Sequence, residues 1–219
     1  KIYERTRDHE IVTRCGRTCF TYTEASVHVG SSALALLLVG LGTPKGNKAA
    51  RNFDAPSWLK AAPLWMKRLY LASLFGAELS APQTVTGHHF NFYGPVLSLN
   101  KREAVVESGR RFLRQIREWL REFGVESSVL AERDEYTNKD ESISVRLRLQ
   151  ISSDPQNLIR LWSRIGYDYN KRKQYLGSLA VQYLKMKSLV LQERTKGIAT
   201  ALEMRKASRA TLKAITTAI

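Results

Sequence analysis

Residues 64–79 are apolar on almost every side of a helix: Trp65, Leu69, Ala72, Leu74 and Phe75 leave no broad polar stripe. A helix of that kind must be buried against several neighbours at once, so the rest of the chain is expected to be built around it. Pro56 and Pro63 each stand where a helix can begin. On its N-terminal side, residues 1–7, 10–15, 18–22 and 26–29 are short β-branched or aromatic stretches separated by polar residues and Gly16, which predicts a strand meander. Ser31 and Ser32 can cap a helix carrying Leu34, Leu37, Leu38 and Leu41, stopped by Gly42 and Pro44, and residues 44–54 read as a basic loop.

Beyond the apolar helix the composition turns β again at residues 89–93 and 96–99, with Gly94 and Pro95 marking a turn or bulge between them. Residues 103–123 form a long amphipathic helix whose apolar face is Val105, Phe112, Ile116, Leu120 and Phe123, ended by Gly124. Two strands follow, separated by the charged stretch 133–141. In the second, Ile143, Val145, Leu147, Leu149 and Ile151 alternate with Ser144, Arg146, Arg148, Gln150 and Ser152. That period of two gives one core face and one wet, basic face. Asp154 and Pro155 open a short helix through Trp162, and Asn170 caps a longer one expected to run to Leu191.

Charge narrows the function. Thirty-five Lys and Arg against twenty Asp and Glu leave +15 in 219 residues, a balance that favours polyanionic partners, nucleic acid first. Residues 171–219 hold eleven Lys and Arg against Glu193 and Glu203. With 43% apolar residues the chain can pack a core. The longest apolar run, residues 33–41, is far short of the roughly 20 residues that a spanning helix needs, so no membrane partner is expected. Two cysteines and no apolar signal core at the start make a reducing cytoplasm the expected setting. Neither a Walker loop nor a GxGxxG is present, so nucleotide hydrolysis has no support.

Read letter by letter, Leu71-Ala72-Ser73-Leu74-Phe75-Gly76-Ala77-Glu78-Leu79 resembles a LAGLIDADG motif, with Glu78 where that family carries its metal-binding carboxylate. The lead-in Pro56-Ser57-Trp58-Leu59 followed by Ala62-Pro63-Leu64-Trp65-Met66-Lys67-Arg68 is similar to that of the dodecapeptide homing endonucleases found inside archaeal inteins. The resemblance covers most of residues 11–190. It implies an α+β fold of two pseudo-symmetric halves, with sheets forming a saddle over the DNA major groove and the helices behind. It also implies Mg²⁺ held between two acids, one from each motif helix.

On that reading residues 1–55 are a partial first half, 56–192 the second half with the motif helix, and 193–219 a basic helical tail. The small residues Ala72, Ser73, Gly76 and Ala77 would let a second helix approach backbone to backbone. The motif helix itself is expected centrally, between two sheets. No first motif precedes the first strands, and the helix before Gly42 ends Val39-Gly40-Leu41 with no acid. One carboxylate of the pair is therefore missing: the chain is a fragment of something longer, or pairs with a second copy, or has kept binding and lost cleavage. Self-splicing is not expected, because an N-terminal Cys or Ser and a C-terminal His-Asn pair are absent.

The candidate residues follow from these two lines of argument. Glu78 is the candidate catalytic and Mg²⁺-binding residue, set against an ordinary exposed acid at a helix end. Arg146, Arg148 and Gln150 on the alternating strand, with Lys171, Arg172 and Lys173, are the candidate nucleic-acid contacts. The expected function is nucleic-acid binding on an endonuclease scaffold with cleavage degenerate or lost, including the RNA-binding role of a component of an archaeal ribonucleoprotein such as the ribosome, with ribosomal RNA and proteins as partners. The alternative is an active metal-dependent, site-specific DNA endonuclease whose second acid comes from elsewhere. Arg110, Arg114, Arg117 and Arg121 are interleaved with Glu107, Glu118 and Glu122 and read as local ion pairs. Trp58, Trp65, Trp119 and Trp162 read as core. Cys15 and Cys19 lack zinc-finger partners, and His88-His89 beside Asn91 lacks a nucleophile.

Overall fold

Two long strands, β1 (Ile2–Thr13) and β2 (Gly16–Val27), stand where four short ones were expected. The computed structural model describes residues 1–13, 16–137 and 141–208, and the chain divides into two units, Lys1–Thr43 and Pro44–Ile219. In the first unit β1 and β2 pair antiparallel from Ile2 opposite Val27 to Thr13 opposite Gly16. The polar residues that read as breaks are cross-strand partners instead: Thr21 Oγ1 donates to Asp8 at 2.6 Å, Arg7 lies 3.4 Å from Glu24, and the His9 ring stacks on Tyr22 at 4.8 Å. Helix α1 (Ser32–Gly40) follows, its first turn capped by Ser31 Oγ, which accepts from Leu34 N–H at 3.2 Å. None of its residues is buried.

The second unit is α+β. Its four-stranded antiparallel sheet is built on β8 (Ile143–Ile151), with β5 (Val96–Arg102) along one side and β6 (Ser127–Val129) and β7 (Arg133–Thr137) at opposite ends of the other. A small hairpin, β3 (Thr84–Val85) with β4 (His88–Phe92), lies apart from it. One face of the sheet is core: Leu97, Leu147, Leu149 and Ile151 are buried under α3 (Val106–Glu122), which contributes Phe112, Leu113, Ile116, Trp119 and Leu120. The closeness is set by Gly109, where a methyl group would sit 2.4 Å from Leu147 Cδ1.

Helix α2 (Leu64–Glu78) buries Lys67, Leu71, Ala72, Phe75 and Gly76. It packs against α3, β5 and the π turn Leu161–Ile165 that continues α4 (Pro155–Arg160). Two corrections follow. The helix is buried on one side rather than all round, since Leu64, Trp65 and Leu69 are exposed, and among the described residues no second sheet of its unit covers that side. Of the four tryptophans only Trp119 and Trp162 are core; Trp58 and Trp65 are about half exposed. Composition records how apolar a residue is, not whether its neighbour is present.

The division of the chain also falls elsewhere than expected, after Thr43 rather than residue 55. The physical reason is that loop 44–55 is tied to the second unit: Arg102 N–H donates to Ala49 O at 2.9 Å, and the Phe53 ring meets Phe112 edge-on at 5.3 Å. Similarly, α5 runs without a break from Lys171 to Ser208, past the expected end at Leu191, so residues 193–208 are not a separate tail. Among the described residues no helix is long and apolar enough to cross a membrane.

Candidate nucleic-acid interface

Glu78 closes α2, and the turn between α4 and α5 holds that helix end in place. Gly166 at φ 74° turns the chain back onto α2, where Asp168 N–H donates to Ala72 O at 2.9 Å. The Asp168 carbonyl lies so near Gly76 that a methyl group there would sit 1.9 Å from its oxygen. Ala72 and Gly76 therefore admit this turn and not a second helix. The residues left on the open side are Trp65, Leu69, Ser73 and Ala77, four positions at i, i+4, i+8 and i+12 whose size tapers toward Glu78.

The carbonyls at the end of α2 have side-chain donors. Lys173 Nζ donates to Gly76 O at 2.9 Å and to Leu79 O at 2.7 Å, Asn170 Nδ2 to Gly76 O at 3.1 Å, and the Tyr167 hydroxyl to Ser80 O at 2.9 Å. A cation at a helix C-terminus also complements its dipole. Burial holds the Lys173 pKa below the usual lysine range, with Glu78 pulling the other way. The structure thus places Lys173 in a structural position, whereas Lys171 and Arg172 are exposed at the start of α5. Asn170 caps α5 as expected, accepting from Lys173 N–H at 3.1 Å.

The Glu78 carboxylate accepts from Lys48 Nζ at 2.6 Å. Mg²⁺ asks for several oxygen ligands at near-octahedral geometry. One carboxylate bridged to one ammonium, with a second ammonium close by, does not fit that ion. Among the described residues no three His, Cys, Asp or Glu side chains are grouped to hold a metal. Lys48 is the residue that sequence reasoning missed here; it stood in a basic loop with nothing to tie it to Glu78.

The outward face of the sheet is the other candidate surface. Asn100 lies opposite Arg146, which has Arg133 of β7 on its other side; Ser98 lies opposite Arg148, and Gln150 has Ser128 of β6 beside it. Arg146, Arg148 and Gln150 are half-buried on this face; β5, β6 and β8 contain no Asp or Glu, while β7 carries Asp134 and Glu135. The arrangement presents guanidinium and amide donors in rows about 5 Å apart.

The remaining candidates sort themselves by contact. Arg110 pairs with Glu107 one turn back, the local pairing expected of that stripe, but also with Glu132 beyond the helix, and Arg114 reaches Glu107 two turns back. Glu122 is instead taken by the buried Lys67 of α2 at 2.7 Å. His88 stands edge-on to Phe90, and Asn91 Oδ1 accepts from Lys187 Nζ at 2.8 Å, while the side chain of His89 lies outside the described residues. Cys19 is exposed, while Cys15 lies outside the described residues.

Lys101, on the core face of β5, is fully buried. Its Nζ donates to Lys48 O at 2.8 Å and Arg51 O at 2.6 Å, and lies 3.9 Å from the centre of the Phe53 ring. Burial pulls its pKa down to about 8 against the opposing pull of Asp54. Between that value and the ordinary lysine value near 10.4, the unfolded chain binds a proton that the folded chain has shed, so stability rises with pH across the window. Tyr70, pushed up to about 12 by burial, opposes the gain above about pH 10. Urea unfolding should give a larger free energy at about pH 9.5 than at about pH 7.5, and Lys101→Met should lose part of that gain. An unchanged wild-type value would mean that Lys101 titrates as in water.

No family model matches the chain, and no solved structure does. Curated proteins do. The tRNA-splicing ligase RtcB of Methanopyrus kandleri is 34% identical over 206 residues, covering 93% of this chain and 19% of that protein. The DNA-directed RNA polymerase subunit Rpo1N of Methanocaldococcus jannaschii is 31% identical over 169 residues, 77% of this chain and 12% of that one. The replication factor C small subunit of the same organism is 27% identical over 188 residues, 85% of this chain and 9% of that one. The chain spans at most about a fifth of the length of these relatives.

Proposed function

We propose that this chain is the nucleic-acid-binding part of a LAGLIDADG-type endonuclease segment carried inside larger proteins, that it holds duplex DNA on the outward face of the β5–β8 sheet, and that alone it does not cut. The observation that carries this reading is that one segment recurs in a ligase, a polymerase subunit and a replication factor, as a fifth or less of each. A sequence shared by proteins of three different activities does not owe its pattern to any one of them; it has a purpose of its own. Endonucleases borne by inteins have that distribution, and a component of one ribonucleoprotein particle such as the ribosome does not. The same recurrence weighs against a direct share in RNA ligation.

Two features of the second unit support the reading. The tapered strip Trp65, Leu69, Ser73 and Ala77 suits a second helix converging on Glu78, the place a first motif helix would take. The basic face around Arg146 and Arg148 suits phosphates and base edges. Catalysis would need a second acid and displacement of Lys48 from Glu78.

The test uses the chain with Mg²⁺ and labelled duplex DNA, with structured RNA of equal length for comparison. Duplex binding without cutting is expected, tighter than RNA binding at the same salt. Glu78→Gln should change affinity by less than about twofold, because an exposed ion pair contributes little. Efficient Mg²⁺-dependent cutting that Glu78→Gln abolishes would establish the enzyme instead, and preference for RNA would overturn the DNA reading.

A further inference from the structure

The lower half of the α3 arginine stripe behaves differently from the upper half. Arg117 has Leu113 and Arg121 at i−4 and i+4, and Arg114 and Leu120 at i−3 and i+3, so no acid stands within helical reach. Arg117 and Arg121 line a cleft of about 480 Å³ together with Gly124, Val125, Glu126 and Ser127. Two more arginines close on the same turn: a methyl group at Gly124 would sit 3.4 Å from Arg164 Nη1 and 3.5 Å from Arg160 Cδ. Arg164 Nη1 also donates to Phe123 O at 3.0 Å. Arg160 ends α4, and Arg164 lies in the π turn that follows, an irregularity that helices commonly keep at functional sites.

Two polar atoms of the cleft lining, Arg117 Nε and Ser127 Oγ, are buried with no hydrogen-bond partner, as is Arg160 Nε beside Gly124. A buried donor left unpaired is costly, and each such atom in a folded protein needs a reason. Ser127 lies opposite Ile151, so its hydroxyl points to the α3 side of the sheet, away from Arg148 and Gln150. We propose that this cleft is a phosphate-binding site, separate from the outward sheet face and on the other side of the sheet. Guanidinium forks match phosphate oxygens in pairs, and the serine hydroxyl can donate to a third. The two lining arginines, with Arg160 and Arg164 beside Gly124, outweigh Glu126 and the roughly half charge at the C-terminal end of α3. The phosphate is either a free or terminal phosphate group or a phosphodiester of nucleic acid; the site does not depend on the function proposed above.

The test follows the Nε–H resonances of Arg117 and Arg160 by NMR in the full chain, titrated with inorganic phosphate and with sodium chloride at equal ionic strength. Phosphate should shift both in a saturable way and chloride should not. Arg117→Gln with Arg121→Gln should weaken phosphate binding about tenfold or more. Ser127→Ala should weaken it too, while leaving the melting temperature unchanged or higher, because it deletes an unpaired hydroxyl. That opposite movement separates a ligand role from a failure to fold. Equal shifts with phosphate and chloride, or Ser127→Ala binding phosphate as the wild type does, would overturn the proposal. A DNA duplex that displaces phosphate from these resonances identifies the phosphodiester as occupant; one that binds without disturbing it identifies the free phosphate group.

Discussion

Gly76→Ala is expected to destabilise the second unit by more than about 3 kcal/mol, lowering the melting temperature by roughly 6–12 °C in a chain of this size. The added methyl group would sit 1.9 Å from the Asp168 carbonyl oxygen and 3.1 Å from its carbon, so backbone meets backbone and no side chain can swing aside. Relief requires the turn after Gly166 to lift off α2. That in turn breaks the hydrogen bonds from Asp168 N–H to Ala72 O and from Asn170 Nδ2 to Gly76 O. Ser73→Ala is the control on the same helix. Its hydroxyl only bonds back to Leu69 O at 2.8 Å, and alanine is the better helix former, so stability should hold or rise slightly. A Gly76→Ala protein melting within about 2 °C of wild type would show that the turn does not rest on α2.

The Arg146→Ala, Arg148→Ala double variant should bind duplex DNA about a hundredfold more weakly at moderate salt, at roughly 1–2 kcal/mol per arginine. Wild-type affinity should fall steeply with salt, because a +15 chain that neutralises phosphates releases counterions. Loss of two phosphate contacts should reduce the slope of log K against log salt by about 2. Folding should be nearly unaffected, since both side chains lie on the outward face while the core face of β8 keeps Val145, Leu147, Leu149 and Ile151. Fluorescence anisotropy at several salt concentrations measures both quantities. Wild-type affinity and slope in the double variant would move the interface off this face.

Much of this fold is legible where the interactions are local. The period of two in β8 separates core from outward face, and from Val145 to Ile151 the structure divides them the same way; at the start of the strand it departs, since Ser144 is buried and Ile143 only half-buried. Ser31, Asp154 and Asn170 cap the helices at which they were expected, because a cap bonds only two or three residues ahead. The first hairpin was misread for the complementary reason. Asp8, His9 and Glu24 are polar along the chain, but across the ladder each has a partner more than ten residues away. Likewise the local pairing expected of the arginine stripe holds for Arg110 with Glu107, whereas Arg110 also reaches Glu132 beyond the helix and Arg117 and Arg121 line a cleft completed by Ser127 of β6.

The amino-acid sequence by itself determined the α+β class, the basic outward strand face, the apolar helix ending in Glu78 and the net charge that calls for a polyanion. All of these follow from periodicity, composition and residue type, which act over a few neighbouring positions. Only the tertiary structure decided what stands next to what. It set Lys48 against Glu78, Lys173 under the end of α2, the Asp168 carbonyl against Gly76, and four arginines around Gly124. Those contacts join residues 30 to 97 positions apart or bring separate elements to one turn. They depend on how closely backbones pack, and no local pattern of side chains records that distance.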